Sequence, residues 1–249
     1  MQALFQTILY QPIFNVFVGL YNLIPDVGIT IFILTVVIKM ALFPMTNKSI
    51  KAQKDMQDLQ PKMEKVKQDH KGDQQRIAQE TMKLYKEHKV NPLGSCLPLL
   101  IQLPIFIALY YVLRDGLANQ HFDLLYSFVT NPGEISPMTL GLFDLSHRSV
   151  ILAVLAAGAQ FWQSKRMMTK KPPKNAGAGA KDEKMSTMMS QQMTYFMPFI
   201  TLVIGIQFPG GLTLYWFLST LLMAIQQEII FRKKGPDDGK GIIEGEVVK

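Results

Sequence analysis

Disulfide, nucleotide and metal chemistry are all missing from this sequence. One cysteine, Cys96, occurs among the 249 residues, which excludes a framework of disulfide bonds. The four histidines are scattered, and the sequence contains no G-x-x-x-x-G-K-[ST] loop, metal-ligand cluster or Ser/His/Asp set. We therefore expect a protein that is not an enzyme, hydrolyses no nucleotide and needs no cofactor or metal. Residues 1–26 also lack lysine and arginine, whereas a cleaved signal peptide begins with a basic region, so we expect no such signal.

Long apolar segments are what the sequence does contain. A membrane-spanning helix needs roughly 20 residues, with a range of about 17–25. Five segments approach or reach that length, and together they predict an all-α membrane protein with five transmembrane helices. A soluble bundle of five unusually apolar helices is the alternative interpretation. The predicted spans cover about residues 27–44, 97–113, 149–165, 194–209 and 212–231.

The basic residues predict how these spans are oriented. Lys and Arg number eleven in residues 45–94 and seven in residues 163–193, but two in residues 114–148. Five more follow from residue 232 onward. Because short cytoplasmic loops accumulate Lys and Arg, this pattern predicts an external N-terminus and a cytoplasmic C-terminus. The same rule accounts for the basic loop around residues 165–174 without invoking nucleic-acid binding, although contact with ribosomal RNA or anionic lipid remains an alternative.

Four segments lie outside the spans of the predicted core, residues 25–232. Residues 1–24 place their apolar side chains near one helical stripe, which predicts an amphipathic helix in the membrane interface. Residues 46–90 show two thin apolar stripes separated by a Gly-containing turn, which predicts a cytoplasmic helical hairpin that packs weakly. Residues 166–190 form a predicted cytoplasmic linker, and residues 233–249 a predicted disordered tail.

One charge, Lys39, interrupts the first predicted span. A charge at the bilayer centre costs roughly 2.5–3.5 kcal/mol, so such a residue normally faces protein or water. Its stem could instead reach the cytoplasmic headgroups, an alternative that position alone leaves open. Thr35 lies one turn deeper on the same helix face. If that face points inward, it forms a wet recess, open to the cytoplasm, with polar residues of the other spans: Gln102, Gln160, Thr220 and Gln227.

Several ordered motifs resemble the YidC membrane protein insertase family, which has mitochondrial and chloroplast relatives. They are TVVIKMALFP in the first span, LQPKM at 59–63, NPLGSCLPLLIQLPIFIALYYVL at 91–113, AGAQFWQSKRM in the third span, MTYFMP at 193–198 and FPGGLTLYWFLSTLLMAIQQ at 208–227. The resemblance implies a five-span core around a hydrophilic groove that opens to the cytoplasm. It also implies that Lys39 faces this groove, where the family usually has arginine. Substrate contacts would come largely from the third and fifth spans, with Gln160, Tyr215, Thr220 and Gln227.

The function that the resemblance implies is insertion and folding of integral membrane proteins in the bacterial cytoplasmic membrane. The expected partners are nascent membrane proteins and the lipid bilayer, with the ribosome, a targeting receptor and the Sec translocon as further candidates and no sequence-specific nucleic acid. Two alternatives remain open at this point. One is a channel or transporter with a continuous polar path, and the other is an assembly factor that stabilises other membrane proteins without inserting them.

Overall fold

The computed structural model describes residues 2–70, 72–91, 94, 97–167 and 195–233, and it is 77% helical. The all-α prediction is therefore confirmed. Apart from their first residues, the predicted linker 166–190 and tail 233–249 fall outside the described residues. The elements in order are α1 Gln2–Phe5, a π-helical turn Gln6–Tyr10, α2 Gln11–Leu23, α3 Val27–Ala41, α4 Phe43–Asp69, α5 Gln74–Glu87, α6 Leu97–Leu117, a 3-10 turn Phe122–Leu124, β1 Met138–Thr139, β2 Phe143–Asp144, α7 Val150–Met167, α8 Tyr195–Gly205 and α9 Gly210–Lys233.

Two of the described helices are long and apolar enough to cross a membrane by themselves. Their apolar portions are Leu100–Leu117 in α6 and Gly210–Arg232 in α9. A third crossing is possible if the bent pair α3 and α4 counts as one span, and the apolar helix α8 is shorter. The count of five spans accordingly stays a prediction.

A bend separates α3 from α4. The first predicted span was expected to run to residue 44, but α3 ends at Ala41 and α4 leaves at an angle of 69°. The Leu42 amide still donates to the Ile38 carbonyl at 3.0 Å, so α3 is closed normally. Pro44 then occupies the first turn of α4, where its missing N–H is harmless. Lys39 consequently lies in the last turn of a helix, not in the middle of a longer one.

The N-terminal helix α2 contributes to the protein core. Phe14, Phe17 and Val18 have no exposed surface, and α2 packs against both α3 and α6. Gly116 of α6 allows this approach, because a Cβ there would lie 2.9 Å from the Phe17 ring. The apolar stripe predicted for residues 1–24 is thus divided between the protein core and the exposed surface. Its middle is buried in protein, whereas Leu4 and Ile8 remain exposed and available to lipid.

The connection between α6 and α7 covers one end of the bundle, which we call the loop end. The Asp26 carboxylate caps α3 by accepting from the Ile29 amide at 2.9 Å. It also accepts from the Thr139 hydroxyl and the Leu140 amide of the connection, both at 2.6 Å. In the same region, the Gly210 amide at the start of α9 donates to the His147 carbonyl at 2.8 Å. The α6–α7 connection therefore joins the starts of α3 and α9.

Helices α4 and α5 lie at the opposite end, which we call the hairpin end. Leu59 of α4 is buried, whereas α5 has no buried residue in the described part of the chain. The Tyr85 hydroxyl lies 3.4 Å from the Met63 sulfur and connects the two helices. Asp73 caps α5 by accepting from the Arg76 amide at 2.9 Å. Few packing contacts thus hold α5, whereas α4 also buries Thr46, Ser49 and Ile50 against the bundle.

We predict that Asp26→Ala destabilises the protein by about 1–3 kcal/mol, because a helix cap is lost and two donors of the α6–α7 connection lose their acceptor. The unfolding midpoint of the full chain in detergent, compared with wild type, measures this cost. Glu134→Ala is the matched control, since Glu134 is an exposed carboxylate in the same connection. Equal midpoints for Asp26→Ala and Glu134→Ala would contradict the structural role of Asp26.

The same carboxylate predicts a pH dependence. Burial opposes ionisation of Asp26, but the hydrogen bonds from Thr139, Ile29 and Leu140 outweigh it and lower the pKa of the carboxyl. Its stabilising effect is therefore complete above the ordinary pKa of about 3.9 and is lost as the pH falls through the lower folded value. The difference in unfolding free energy between wild type and Asp26→Asn should stay constant from about pH 7 to about pH 5 and shrink below about pH 4. A difference that grows on acidification would contradict this assignment.

Candidate functional site

A cavity of about 440 Å³ lies among six helices near the hairpin end, and we call it the groove cavity. Helices α3, α4, α6, α7, α8 and α9 all contribute side chains, with α4 supplying a single residue, Gln53. Its polar lining consists of Lys39, Gln53, Gln102, Gln160, Gln163, Thr201, Ser219 and Thr220. Leu103, Phe106, Ile200 and Trp216 are among the apolar side chains that complete the wall. The cavity thus combines hydrogen-bonding groups with apolar surface inside a helical bundle.

Four of the seven residues predicted from the sequence line this cavity: Lys39, Gln102, Gln160 and Thr220. Each comes from a different helix, α3, α6, α7 or α9. The Gln160 amide lies 3.5 Å from the Ser164 hydroxyl one turn further along α7, at the limit of a hydrogen bond. Helix α6 presents Gln102 close to Pro104, inside a turn that remains helical. These four residues form the polar surface on which the site hypothesis depends.

The other three predicted residues lie behind the wall. Thr35 has no exposed surface, and its hydroxyl donates to the Ile31 carbonyl of the same helix at 2.6 Å. A threonine that hydrogen-bonds to its own helix has no need of water, which explains its burial. Thr35 and Lys39 therefore do not both face the cavity, although they lie on neighbouring turns.

Tyr215 and Gln227 support residues that line the cavity. The Gln102 amide donates to the Tyr215 hydroxyl at 2.6 Å, and Tyr215 is almost completely buried. The Gln227 amide donates to the Gln53 side-chain oxygen at 3.2 Å. Tyr215 thus fixes the orientation of Gln102, and Gln227 helps hold α4 against α9.

Lys39 is the one cation among the described residues that line the groove cavity. Among the described residues, none forms an ion pair with Lys39. Its place in the last turn of α3 is favourable, because the helix dipole stabilises a cation at the C-terminus. Lys39 also lines a second, larger cavity between α3, α4 and α9. The ammonium group therefore needs water or an anion, and two cavities offer it space.

Sequence reasoning left several site residues out. Gln163 and Ser219 could have been found by helical spacing, since they follow Gln160 by three positions and Tyr215 by four. Gln53 could not have been found in this way, because the bend between α3 and α4 is what brings it to the groove cavity.

A buried acid was also missed, because the second span was predicted to end at residue 113 and Asp115 lies just beyond it. Asp115 near the end of α6 pairs with Arg114 at 2.8 Å and accepts from the Tyr10 hydroxyl at 2.9 Å, at the loop end and far from Lys39.

Comparison with known proteins identifies the family of this chain. The sequence profile of a family described as 60Kd inner membrane protein matches residues 19–237. The chain belongs to this family. A relative from Fusobacterium nucleatum named membrane protein insertase YidC is 38% identical over 206 residues, which are 83% of this chain and 86% of the relative. The YidC resemblance of the sequence motifs is thereby confirmed.

Other relatives are longer than this chain. A membrane protein insertase YidC from Actinobacillus succinogenes is 36% identical over 230 residues, 90% of this chain but 38% of that protein. A crystal structure titled as an active YidC insertase with its first transmembrane domain resolved superposes with a TM-score of 0.58 at 24% identity. That alignment covers 91% of this chain and 46% of the crystallised one, and it shows the shared fold. The family is thus one of bacterial inner membrane proteins, and this chain is a helical membrane protein.

We predict a sharp difference in water access between Gln160 and Thr35. In a Cys96→Ser background, Gln102→Cys and Gln160→Cys should react with a membrane-impermeant maleimide, because both positions line the groove cavity. Thr35→Cys should react more than about tenfold more slowly, since labelling a buried side chain requires local opening. The labelling rate of the purified full chain is the measurement. Comparable rates at positions 35 and 160 would contradict the placement of the cavity.

Proposed function

We propose that this chain is a membrane protein insertase that works through the groove cavity without nucleotide hydrolysis. The relatives named as insertases supply the functional class. The single observation that carries the mechanism is Lys39, a cation without an ion-pair partner among the described residues, facing a cavity with polar and apolar walls. Such a cavity suits a substrate that is itself part polar and part apolar.

The proposed architecture has five spans with the loop end outside and the hairpin end in the cytoplasm. Helices α3, α6, α7, α8 and α9 are the proposed spans, and they run in alternating directions between the two ends. The charge pattern of the sequence supports this orientation, because the segment containing α4 and α5 is rich in lysine. In this arrangement, Gln53 and Lys39 lie on the cytoplasmic side of the groove, where an incoming chain would arrive.

The proposed mechanism lowers the barrier for a polar flank that must cross part of the bilayer. Water and the amide groups of Gln102, Gln160 and Gln163 replace the hydration that such a flank would lose in lipid. Lys39 attracts acidic residues of that flank, an interaction strengthened by the low dielectric surroundings. Its compact ammonium group acts as a point charge, so it attracts a carboxylate without the two-pronged grip of arginine.

Hydrophobic burial of the substrate provides the driving force in this proposal. Apolar side chains of α7 and α8 point away from the bundle, including Val154, Leu155, Phe199 and Val203, each more than 40% exposed. A substrate helix can slide along this surface into lipid and gains about 25 cal/mol per Å² of apolar area removed from water. The groove itself supplies no energy, which is consistent with a mechanism that consumes no nucleotide.

The proposed substrates are nascent membrane proteins, delivered at the hairpin end. Helix α5 exposes most of its surface there and is the candidate contact for a ribosome, a targeting receptor or the Sec translocon. We also propose that residues 1–24 lie in the membrane interface and that residues 233–249 form a cytoplasmic tail.

A channel or transporter is not favoured, because the family relatives are named as insertases. Maleimide reaching Gln102→Cys from the loop side as well would instead require a continuous polar path.

We predict that Lys39→Gln selectively impairs substrates with acidic flanks. In liposomes containing the purified chain, insertion of a single-span substrate with an acidic translocated flank should fall about tenfold, equivalent to about 1.4 kcal/mol. The same substrate with a neutral flank should change little, because only the charge attraction is lost. Lys39→Arg should retain most of the insertion, since the charge is kept.

Lys65→Gln is the matched control for this experiment, because it removes an exposed lysine of α4 that does not line the groove cavity. Protease protection of the translocated flank reports insertion. Equal losses with acidic and neutral flanks would make Lys39 an anchor to the headgroups and would contradict the proposed role.

A further inference from the structure

The second cavity that Lys39 borders has a volume of about 750 Å³ and lies between α3, α4 and α9 at the hairpin end. We call it the outer cavity, and it shares Lys39 with the groove cavity. We propose that the outer cavity binds one anionic phospholipid, with its phosphate at the lysines of α4 and its acyl chains along α3 and α9. No part of the insertase proposal requires this site.

The polar half of the outer cavity comes mainly from one face of α4. Lys51 follows Asn47 by four residues, and Lys54 and Asp55 follow Lys51 by three and four, which places them on one side of the helix. Together with Lys39, this half contains three ammonium groups and one carboxylate, so two positive charges remain in excess. Basic pockets on the cytoplasmic side of transmembrane helices are typical sites for anionic headgroups.

The apolar half comes from α3, the first residue of α4 and α9. Met40, Phe43 and Ile229 are each at least half exposed although they line a cavity, so part of their apolar surface has no protein cover. Leu222 and Ile225 extend this surface along α9 toward the middle of the proposed span. A ligand that fills the outer cavity must therefore be apolar at one end and anionic at the other. A phospholipid has this chemistry, whereas inorganic phosphate would leave the apolar half uncovered.

The bend at Leu42 gives the cavity its shape. Because α4 leaves α3 at 69°, its basic face lies across the end of α9 and does not continue along the bundle. The contact is held by the Lys54 ammonium, which donates to the Phe231 carbonyl at 3.3 Å. The Thr46 hydroxyl and the Gln226 amide, 3.3 Å apart, provide a second contact. A preformed cavity of this kind costs a lipid little reorganisation on binding.

Lys39 connects the two cavities through one ammonium group. A lipid phosphate drawn toward Lys39 from the outer cavity competes with an acidic flank in the groove cavity. By thermodynamic reciprocity, each ligand then weakens the other. This coupling rests on the proposed function, whereas lipid binding itself does not, so binding is tested in the absence of any substrate.

Native mass spectrometry of the full chain in detergent tests the proposal, with phosphatidylglycerol and phosphatidylcholine as separate probes. We expect one phosphatidylglycerol to bind in preference to phosphatidylcholine. Lys51→Gln should weaken phosphatidylglycerol binding about fivefold, the effect of removing one lysine near an anionic headgroup. Lys51 is chosen because it is exposed, whereas Lys54 contributes to the contact with α9.

Lys65→Gln is the control of equal charge change, since Lys65 lies on α4 fourteen residues beyond Lys51 and does not line the outer cavity. Its phosphatidylglycerol binding should match wild type, and unfolding midpoints should show that both variants are folded. Excess inorganic phosphate should not displace the bound lipid. Equal binding of the two lipids, equal losses in the two variants or displacement by phosphate would each overturn the proposal.

Discussion

The need to solvate the Lys39 ammonium is the physical constraint on which the candidate site depends. Lys39 lies in the last turn of an otherwise apolar helix, and no described carboxylate neutralises it. Keeping a charge at such a place requires water, an anion or both, because desolvation without compensation costs several kcal/mol. The two cavities that border Lys39 meet this requirement.

Those cavities lie in a bundle whose two ends are held by different contacts. At the loop end, the Asp26 cap and the Gly210 amide tie the α6–α7 connection to the starts of α3 and α9. Aromatic packing among Phe106, Phe208 and Trp216 closes the bundle above the groove. At the hairpin end, α4 bends away from α3, contacts α9 and lines both cavities. These contacts support the proposed groove, which a substrate would enter from the hairpin end without a continuous pore.

Much of the candidate site could be predicted because helical spacing and polarity act locally. A polar side chain such as Gln102 or Gln160 in an apolar helix faces protein or water wherever the helix is placed, so these positions stand out in the sequence. Thr35 could not be assigned in this way. Its hydroxyl is satisfied by its own helix, and whether a threonine bonds inward to its backbone or outward to water depends on the neighbouring helices.

Composition and charge by themselves determined that this is an all-helical membrane protein, since apolar runs and the distribution of lysine are properties of the chain. They also indicated Lys39 as the residue to explain. Only the tertiary structure decided that α3 stops at Ala41, that Gln53 reaches the groove and that Lys39 borders a second cavity. The physical reason is that a bend of 69° brings together residues from α4 and α9 more than 170 positions apart, and no local pattern encodes that meeting.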